Sequence, residues 1–119
     1  MGIEIRTRLG TLDEAEMNRR AADMISALGV NIKAETVVEK LTIAQQQMVE
    51  IVKAVSFNGK IIVMDEPTSS LSNEEVEQLF GIIENLRKKK VSIIYISHRM
   101  EELFRISDRI TVIRDGTYV

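Results

Sequence analysis

The chain has 119 residues, of which 45% are hydrophobic and 29% charged, and its formal net charge is −2 at pH 7. A chain of this length builds one modest core, and its slightly acidic balance argues against a nucleic-acid partner. The absence of cysteine excludes disulfides and thiolate metal sites and fits a reducing cytosol, and no apolar run approaches the ~18 residues of a membrane span.

A helix is the first predicted element, at about residues 12–28. Thr11-Leu12-Asp13-Glu14 has the form of a capping box, and Gly29 stands where a C-terminal cap belongs. Apolar residues recur at helical spacing along this segment, so one face should pack inward. The residues of that face are Met17, Ala21, Met24, Ile25 and Leu28.

A second amphipathic helix is predicted at about residues 43–56, after a loop and a short stretch near 35–39. Its inward stripe consists of Met48, Ile51, Val52 and Val55. Gln45-Gln46-Gln47 marks the first turn, where free N–H groups and the positive end of the helix dipole can meet a phosphate. Read alone, such a helix is most often only a core element.

Strands alternate with helices from residue 61 onward. Ile61-Ile62-Val63-Met64 is a short apolar run stopped by Pro67, as in a strand buried on both faces of a parallel sheet. Ser72-Asn73-Glu74-Glu75 is a second capping box, which opens a helix to about residue 89. Three elements complete the pattern: a strand at 91–97, a helix near 99–106 and a strand at 109–114. Asp115-Gly116 then predicts a hairpin whose second strand is cut off.

The order of these elements predicts an α/β fold. Two strands joined by a helical crossover of this length pair in parallel, through a right-handed connection. We therefore expect a three-stranded, mainly parallel sheet with flanking helices, preceded by a helical portion.

Two adjacent carboxylates, Asp65 and Glu66, follow the first strand. Side chains at the carboxyl ends of parallel strands face the crevice where α/β proteins bind ligands. One carboxylate there can hold Mg²⁺, and the next can polarise an attacking water. The alternative is a strand end with two solvated acids. His98 follows the 91–97 strand in the same way, although a lone histidine at that place is more often structural than catalytic.

Three sequence segments, in their order along the chain, resemble motifs of the ABC-type ATPases. They are 41–55, similar to the signature and the helix behind it, 61–72, similar to the Walker B segment and D-loop, and 91–102, similar to the H-loop. The sequences of four segments resemble the first ATPase half of tandem ribose/galactoside/xylose-type sugar importers. These segments are 44–51, 65–71, 94–99 and 110–119. The resemblance implies a fragment of the P-loop NTPase fold. Residues 1–57 would belong to the helical subdomain with the signature helix, and 58–119 to the Walker B, D-loop and H-loop part of the RecA-like core.

The resemblance also implies a role for each matched residue. Asp65 would bind the Mg²⁺ that bridges the β- and γ-phosphates of ATP, Glu66 would orient or deprotonate the attacking water, and His98 would donate to the γ-phosphate. The residues that would cap ATP held by a second nucleotide-binding domain are Thr42, Ile43, Ala44 and Gln45. The D-loop residues that would cross that interface are Ser70, Leu71 and Ser72.

Further partners implied by the resemblance are a transmembrane permease and, indirectly, a sugar-binding protein. The parent protein would use ATP to drive monosaccharide uptake from the cytoplasmic face of the membrane, held there by the permease. The chain departs from the usual motifs at three places. Thr42 replaces the signature serine, Ile43 and Ala44 replace the two signature glycines, and Ser72 replaces the usual acid of the D-loop. The sugar-importer branch tolerates such changes.

A phosphate-cradling Walker A loop is missing from the sequence. The only Gly-Lys pair is Gly59-Lys60, but Ala54 stands five positions before Gly59 and Ile61 follows Lys60, so the Gly-x-x-x-x-Gly-Lys-Ser/Thr pattern fails twice. We therefore expect the chain to be a piece of an ATPase that, alone, neither binds ATP tightly nor hydrolyses it.

Two other interpretations stay open. The chain could be a complete non-catalytic module that binds another ABC subunit through its signature face. It could also be an ATPase of the DNA-repair or chromosome-maintenance type, although those lack the Gln-Gln-Gln-Met-Val-Glu phrase at 45–50.

The resemblance also predicts a free sheet edge. In ABC ATPases of this type the H-loop strand lies between the Walker B and Walker A strands, so 91–97 should pair with 61–65 on one side only. Unpaired N–H and C=O groups on an edge are a template for association. We expect either that strand 109–114 shifts inward to pair with 91–97 or that a second copy covers the edge, giving a homodimer or a swapped assembly.

Overall fold

The computed structural model describes residues 4–6 and 10–119, in which two helices precede an alternating strand–helix segment and a C-terminal hairpin. The helices are α1 (Glu14–Ala27), α2 (Ile43–Ser56), α3 (Asn73–Lys88) and α4 (Met100–Ile106), with one 3-10 turn at Val38–Lys40. The strands are β1 (Ile61–Asp65), β2 (Ser92–Ile96), β3 (Ile113–Arg114) and β4 (Thr117–Tyr118). Among these described residues, no helix is both long enough and apolar enough to cross a membrane.

The start of α1 differs from the predicted one. The cap is Asp13, whose carboxylate accepts a hydrogen bond from the backbone N–H of Glu16 at 3.0 Å. The capping box predicted at Thr11 was wrong because the helix begins later: Thr11 lies in a bend, and Leu12 forms an isolated antiparallel bridge with Arg6. Gly29 follows the end of α1 with φ +68°, a left-handed conformation that favours glycine, as predicted.

The starts of α2 and α3 are both closed by capping boxes. In α2 the Thr42 hydroxyl accepts from the Gln45 N–H and the Gln45 side chain accepts from the Thr42 N–H. In α3, Ser72 and Glu75 form the same reciprocal pair, as the sequence predicted. Each box satisfies two backbone N–H groups that the helix itself leaves without a partner.

β1 and β2 pair in parallel, from Ile61 opposite Ser92 to Asp65 opposite Ile96. Helix α3 covers one face of this sheet and contributes much of the core. The buried residues of β1, α2 and α3 are Ile62, Met64, Met48, Ile51, Val52, Val76, Leu79, Phe80, Ile82, Ile83 and Leu86. The α/β class with a parallel sheet and flanking helices is thus confirmed.

The opposite face of the sheet is open. Ile61 is 63% exposed and Val63 60% exposed, and their β2 neighbour Ile94 is exposed as well. The prediction that this strand is buried on both faces was therefore wrong for the described chain. Alternate residues of a strand point to opposite faces, and no described element packs against this one.

The predicted third strand of the parallel sheet does not form. Residues 109–112 lie in no strand, and β3 pairs antiparallel with β4. Asp115 and Gly116 between them both have positive φ, which two-residue hairpin turns require, so the predicted hairpin is present with its second strand inside the chain. Because this turn engages β3, residues 109–114 do not shift inward, and a cavity of about 1620 Å³ opens between β2 and residues 106–113.

Candidate functional site

The carboxyl ends of β1 and β2 meet at one edge of the sheet and bring the predicted acids and histidine together. Asp65 is the exposed last residue of β1. Glu66 follows with φ +45°, a left-handed conformation that costs a non-glycine residue about 1–2 kcal/mol and persists only where the surroundings impose it. Here its backbone N–H donates to the carbonyl of Ile96 at 2.9 Å, which extends the sheet pairing by one residue.

Glu66 and His98 are in direct contact. Glu66 Oε1 accepts from the backbone N–H of His98 at 3.2 Å and lies 2.9 Å from its Nδ1. A carboxylate can only accept, so Nδ1 carries the proton in this pair and Nε2 remains on the exposed side of the ring. The other carboxylate oxygen, Glu66 Oε2, is buried and has no hydrogen-bond partner among the described residues. Buried polar atoms are normally satisfied, so this oxygen is an exception among the described residues.

Asp65 is the candidate metal ligand. The residue is exposed, and no ion pair or hydrogen bond engages its side chain within the described residues. The described part of the chain holds no group of three or more acidic, histidine or cysteine side chains that could cage a metal. Mg²⁺ is usually held by only one or two carboxylates, with substrate phosphates and water as the other ligands. A single exposed carboxylate beside Glu66 fits that mode of binding.

The signature residues form a second, separate surface at the start of α2. The hydroxyl of Thr42 and the amide of Gln45 are engaged in the capping box, at 3.2 and 3.1 Å. Ile43 is 72% exposed and Ala44 is half-buried. In the part of the chain that the structure describes, no hydrogen bond joins these residues to Glu66 or His98. The structure thus brings Asp65, Glu66 and His98 together but does not join the signature residues to them.

The three D-loop residues are largely engaged within the fold. Leu71 packs against the hydrophobic core and Ser70 is half-buried. Ser72 caps α3, and its backbone N–H donates to Glu75 Oε2 at 2.8 Å, which lowers the pKa of that carboxyl. Ser72 thus has a structural role that the sequence already indicated through its capping box.

A buried acid near His98 was missed by sequence reasoning. Glu102, in the first turn of α4, is only 5% exposed and accepts hydrogen bonds from Thr68, Tyr95 and Ser97. A signal was present in the sequence: Glu102 lies four residues before Ile106, and both fall on the inward face of α4. An acid on the apolar face of a helix is seldom left unpaired.

A family model described as "ABC transporter" matches residues 3–69 of this chain. The chain is 51% identical over 111 residues to the galactose/methyl galactoside import ATP-binding protein MglA 1 of Photobacterium profundum, which covers 93% of this chain and 22% of that protein. It is 49% identical over 119 residues to the ribose import ATP-binding protein RbsA of Bacillus licheniformis, covering 100% of this chain and 24% of that protein. The chain therefore spans less than a quarter of the length of these relatives.

Solved structures of similar fold are ATP-binding cassettes. A nucleotide-free ATP-binding cassette from an ABC transporter aligns with a TM-score of 0.78 and 25% identity, over 90% of this chain and 42% of the cassette. A bacterial ABC transporter cassette solved as a dimer aligns with a TM-score of 0.75 and 25% identity, over 90% of this chain and 47% of the cassette.

Proposed function

The chain belongs to the ABC transporter family, as its motifs predicted, and we propose that it supplies the hydrolytic end of an ATPase that drives sugar import. The observation that carries this proposal is the Glu66–His98 contact at the carboxyl ends of two parallel strands. Identity near 50% to sugar-import ATP-binding proteins along the whole chain supports the same assignment. ATP is the proposed substrate and a monosaccharide the proposed cargo.

Each residue at this end of the sheet has a proposed role. Asp65 would hold Mg²⁺, which when bound neutralises charge on the β- and γ-phosphates. Glu66 would orient the attacking water and accept its proton, a function typically worth ~10²–10⁴-fold in rate. His98 is held at Nδ1 by Glu66, which leaves Nε2 to approach the γ-phosphate. Nε2 donates to a phosphate oxygen only when both ring nitrogens carry protons.

The signature surface has a different proposed partner. Thr42, Ile43, Ala44 and Gln45 would meet ATP bound to a second nucleotide-binding domain, with the N–H groups and positive dipole end of α2 facing the phosphate. The loop formed by Ser70, Leu71 and Ser72 would lie at the same interface. We also propose that residues 1–57 and 58–119 act as the helical and RecA-like parts of one such domain.

The remaining partners are proposed from the relatives. Proteins with import functions such as MglA 1 and RbsA suggest a transmembrane permease as the direct partner, with a sugar-binding protein acting through it. Such an arrangement would hold the chain at the cytoplasmic face of the membrane. The relatives offer no support for the DNA-repair type of ATPase.

A chimera tests the proposed function. Residues 1–119 would replace the matched stretch of RbsA from Bacillus licheniformis, and ATP hydrolysis and ribose uptake would be measured. We expect both activities to persist in the chimera and the isolated chain to release no phosphate, because it contains no Walker A sequence. A chimera that folds and binds ATP but does not hydrolyse it would instead favour the non-catalytic module.

A further inference from the structure

Glu102 is a buried acid that the proposed hydrolysis does not use. Its side chain is only 5% exposed, although it lies in the first turn of a seven-residue helix at the surface. Glutamate is almost never buried to this extent unless it is paired, because removing its charge from water is costly. The contacts that compensate this cost therefore indicate what the residue does.

Four side chains engage the two carboxylate oxygens of Glu102. Oε2 accepts from Tyr95 at 2.8 Å, Thr68 at 3.0 Å and Ser97 at 3.4 Å. Oε1 lies 2.6 Å from Arg99 Nη1 in an ion pair and has no hydrogen-bond partner within the described residues. Burial raises the pKa of Tyr95 and the bond to Glu102 raises it further, so this hydroxyl stays protonated and donates.

Thr68, Ser97 and Arg99 come from the two loops that carry the proposed catalytic pair, and Tyr95 comes from β2. Thr68 lies two residues after Glu66 and is itself buried. Ser97 and Arg99 flank His98 on either side, and the Ser97 hydroxyl accepts from the Arg99 N–H at 3.0 Å. Glu102 thus links the two loops by accepting hydrogen bonds from both of them.

The His98 ring depends on this support. Its side chain is 81% exposed, and among the described residues only Glu66 forms a hydrogen bond with the ring. Since little packing holds the ring, the positions of the two loops set the distance between Glu66 and His98.

We infer that Glu102 is a positioning residue for ATP hydrolysis, which fixes the loop after Glu66 against the loop around His98 through Thr68, Tyr95, Ser97 and Arg99. This inference rests on the proposed function, because it concerns the geometry of the same site. Glu102 contacts no substrate in this role and acts only through the residues that it holds.

The first test uses the chain alone and needs no hydrolysis. His98 is the only histidine, so long-range ¹H–¹⁵N spectra report its ring without ambiguity. We expect the ring proton on Nδ1 in the unmodified chain and a shift toward the Nε2 tautomer in Glu102→Gln. A melting temperature that falls while the tautomer stays unchanged would overturn the inference, because Glu102 would then be a structural residue only.

The second test measures rate in the RbsA chimera. Glu102→Gln should lower kcat for ATP by about tenfold or more, since small displacements of reacting groups are costly. KM for ATP should stay within about twofold. Glu101→Gln is the matched control, because Glu101 is the exposed neighbour in the same helical turn and undergoes the same change of charge. Equal kcat values for the two variants would overturn the inference.

Failure of the inference and failure of the proposed function can be told apart. If Glu66→Gln abolishes turnover in the chimera while Glu102→Gln does not, the proposed function stands and the positioning role falls. Should Glu102→Gln fail to fold, Thr68→Val decides the question, because it removes one donor to Glu102 with almost no change of shape. Thr68→Val should shift the His98 tautomer and lower kcat, and the absence of both effects would refute the role.

Discussion

The carboxyl end of the sheet and the start of α2 are held together by different kinds of contact. Around the carboxyl end of the sheet, hydrogen bonds join residues that are distant in sequence. Glu66 and His98 lie 32 residues apart, and Thr68 and Glu102 lie 34 residues apart. At the start of α2, the cap joins Thr42 to Gln45, only three residues away. The helix start can form from its own sequence, whereas the sheet end exists only once β1 and β2 have paired. Damage to the sheet core should therefore disturb the catalytic pair, and loss of the cap should not.

Met64→Ala should cause the largest loss of stability at the sheet end. Met64 is 5% exposed on the covered face of β1, so truncation leaves a cavity and should lower the free energy of unfolding by about 2–5 kcal/mol. Val63→Ala is the matched control, because Val63 is 60% exposed on the open face and should change stability by less than about 0.5 kcal/mol. Urea denaturation measures both, and equal losses would show that the open face is covered in solution.

Thr42→Ala should weaken the start of α2 without disturbing the sheet end. Loss of the capping hydroxyl should lower the free energy of unfolding by about 1 kcal/mol, and the Nδ1 signal of His98 should stay unchanged. The control is Thr111→Ala, because Thr111 is exposed and forms no side-chain hydrogen bond in the described chain. A change of the His98 signal in Thr42→Ala would show that the two regions are coupled.

Contacts between residues close in sequence could be predicted, whereas contacts between distant residues could not. The box at Ser72 and Glu75 was predicted because both partners lie within four residues of sequence. Glu66 and His98 were identified as a site through family resemblance, and their direct contact depends on strand register, which sequence spacing does not specify. The network around Glu102 was missed because its donors come from three separate segments.

The error at 109–114 has a related cause. The apolar residues of this segment predict a buried strand, but Arg114 pairs with Thr117 across a local turn instead. The pattern alone cannot tell which edge of a sheet a strand will join.

The smallest expected effect concerns an exposed ion pair between α3 and α4. Arg105 holds the Glu77 carboxylate with two hydrogen bonds, which lowers the pKa of Glu77. A carboxyl whose pKa is lower in the folded state stabilises the fold above its unfolded pKa and loses that contribution as pH falls through the folded value. Carbon-detected NMR titration should show a lowered Glu77 pKa that returns toward its ordinary value in Arg105→Gln. An unchanged value in that variant would contradict the ion pair.

The proposed function requires Glu66 to perform chemistry at the end of the sheet, and measuring kcat together with the Kd for ATP in the RbsA chimera carrying Glu66→Gln tests this requirement. The amide keeps the size of the side chain but cannot accept a proton from water. We predict that kcat falls by roughly 10²–10⁴-fold while the Kd for ATP stays within about twofold. Undiminished hydrolysis per folded molecule, with only a lower melting temperature, would contradict the claim.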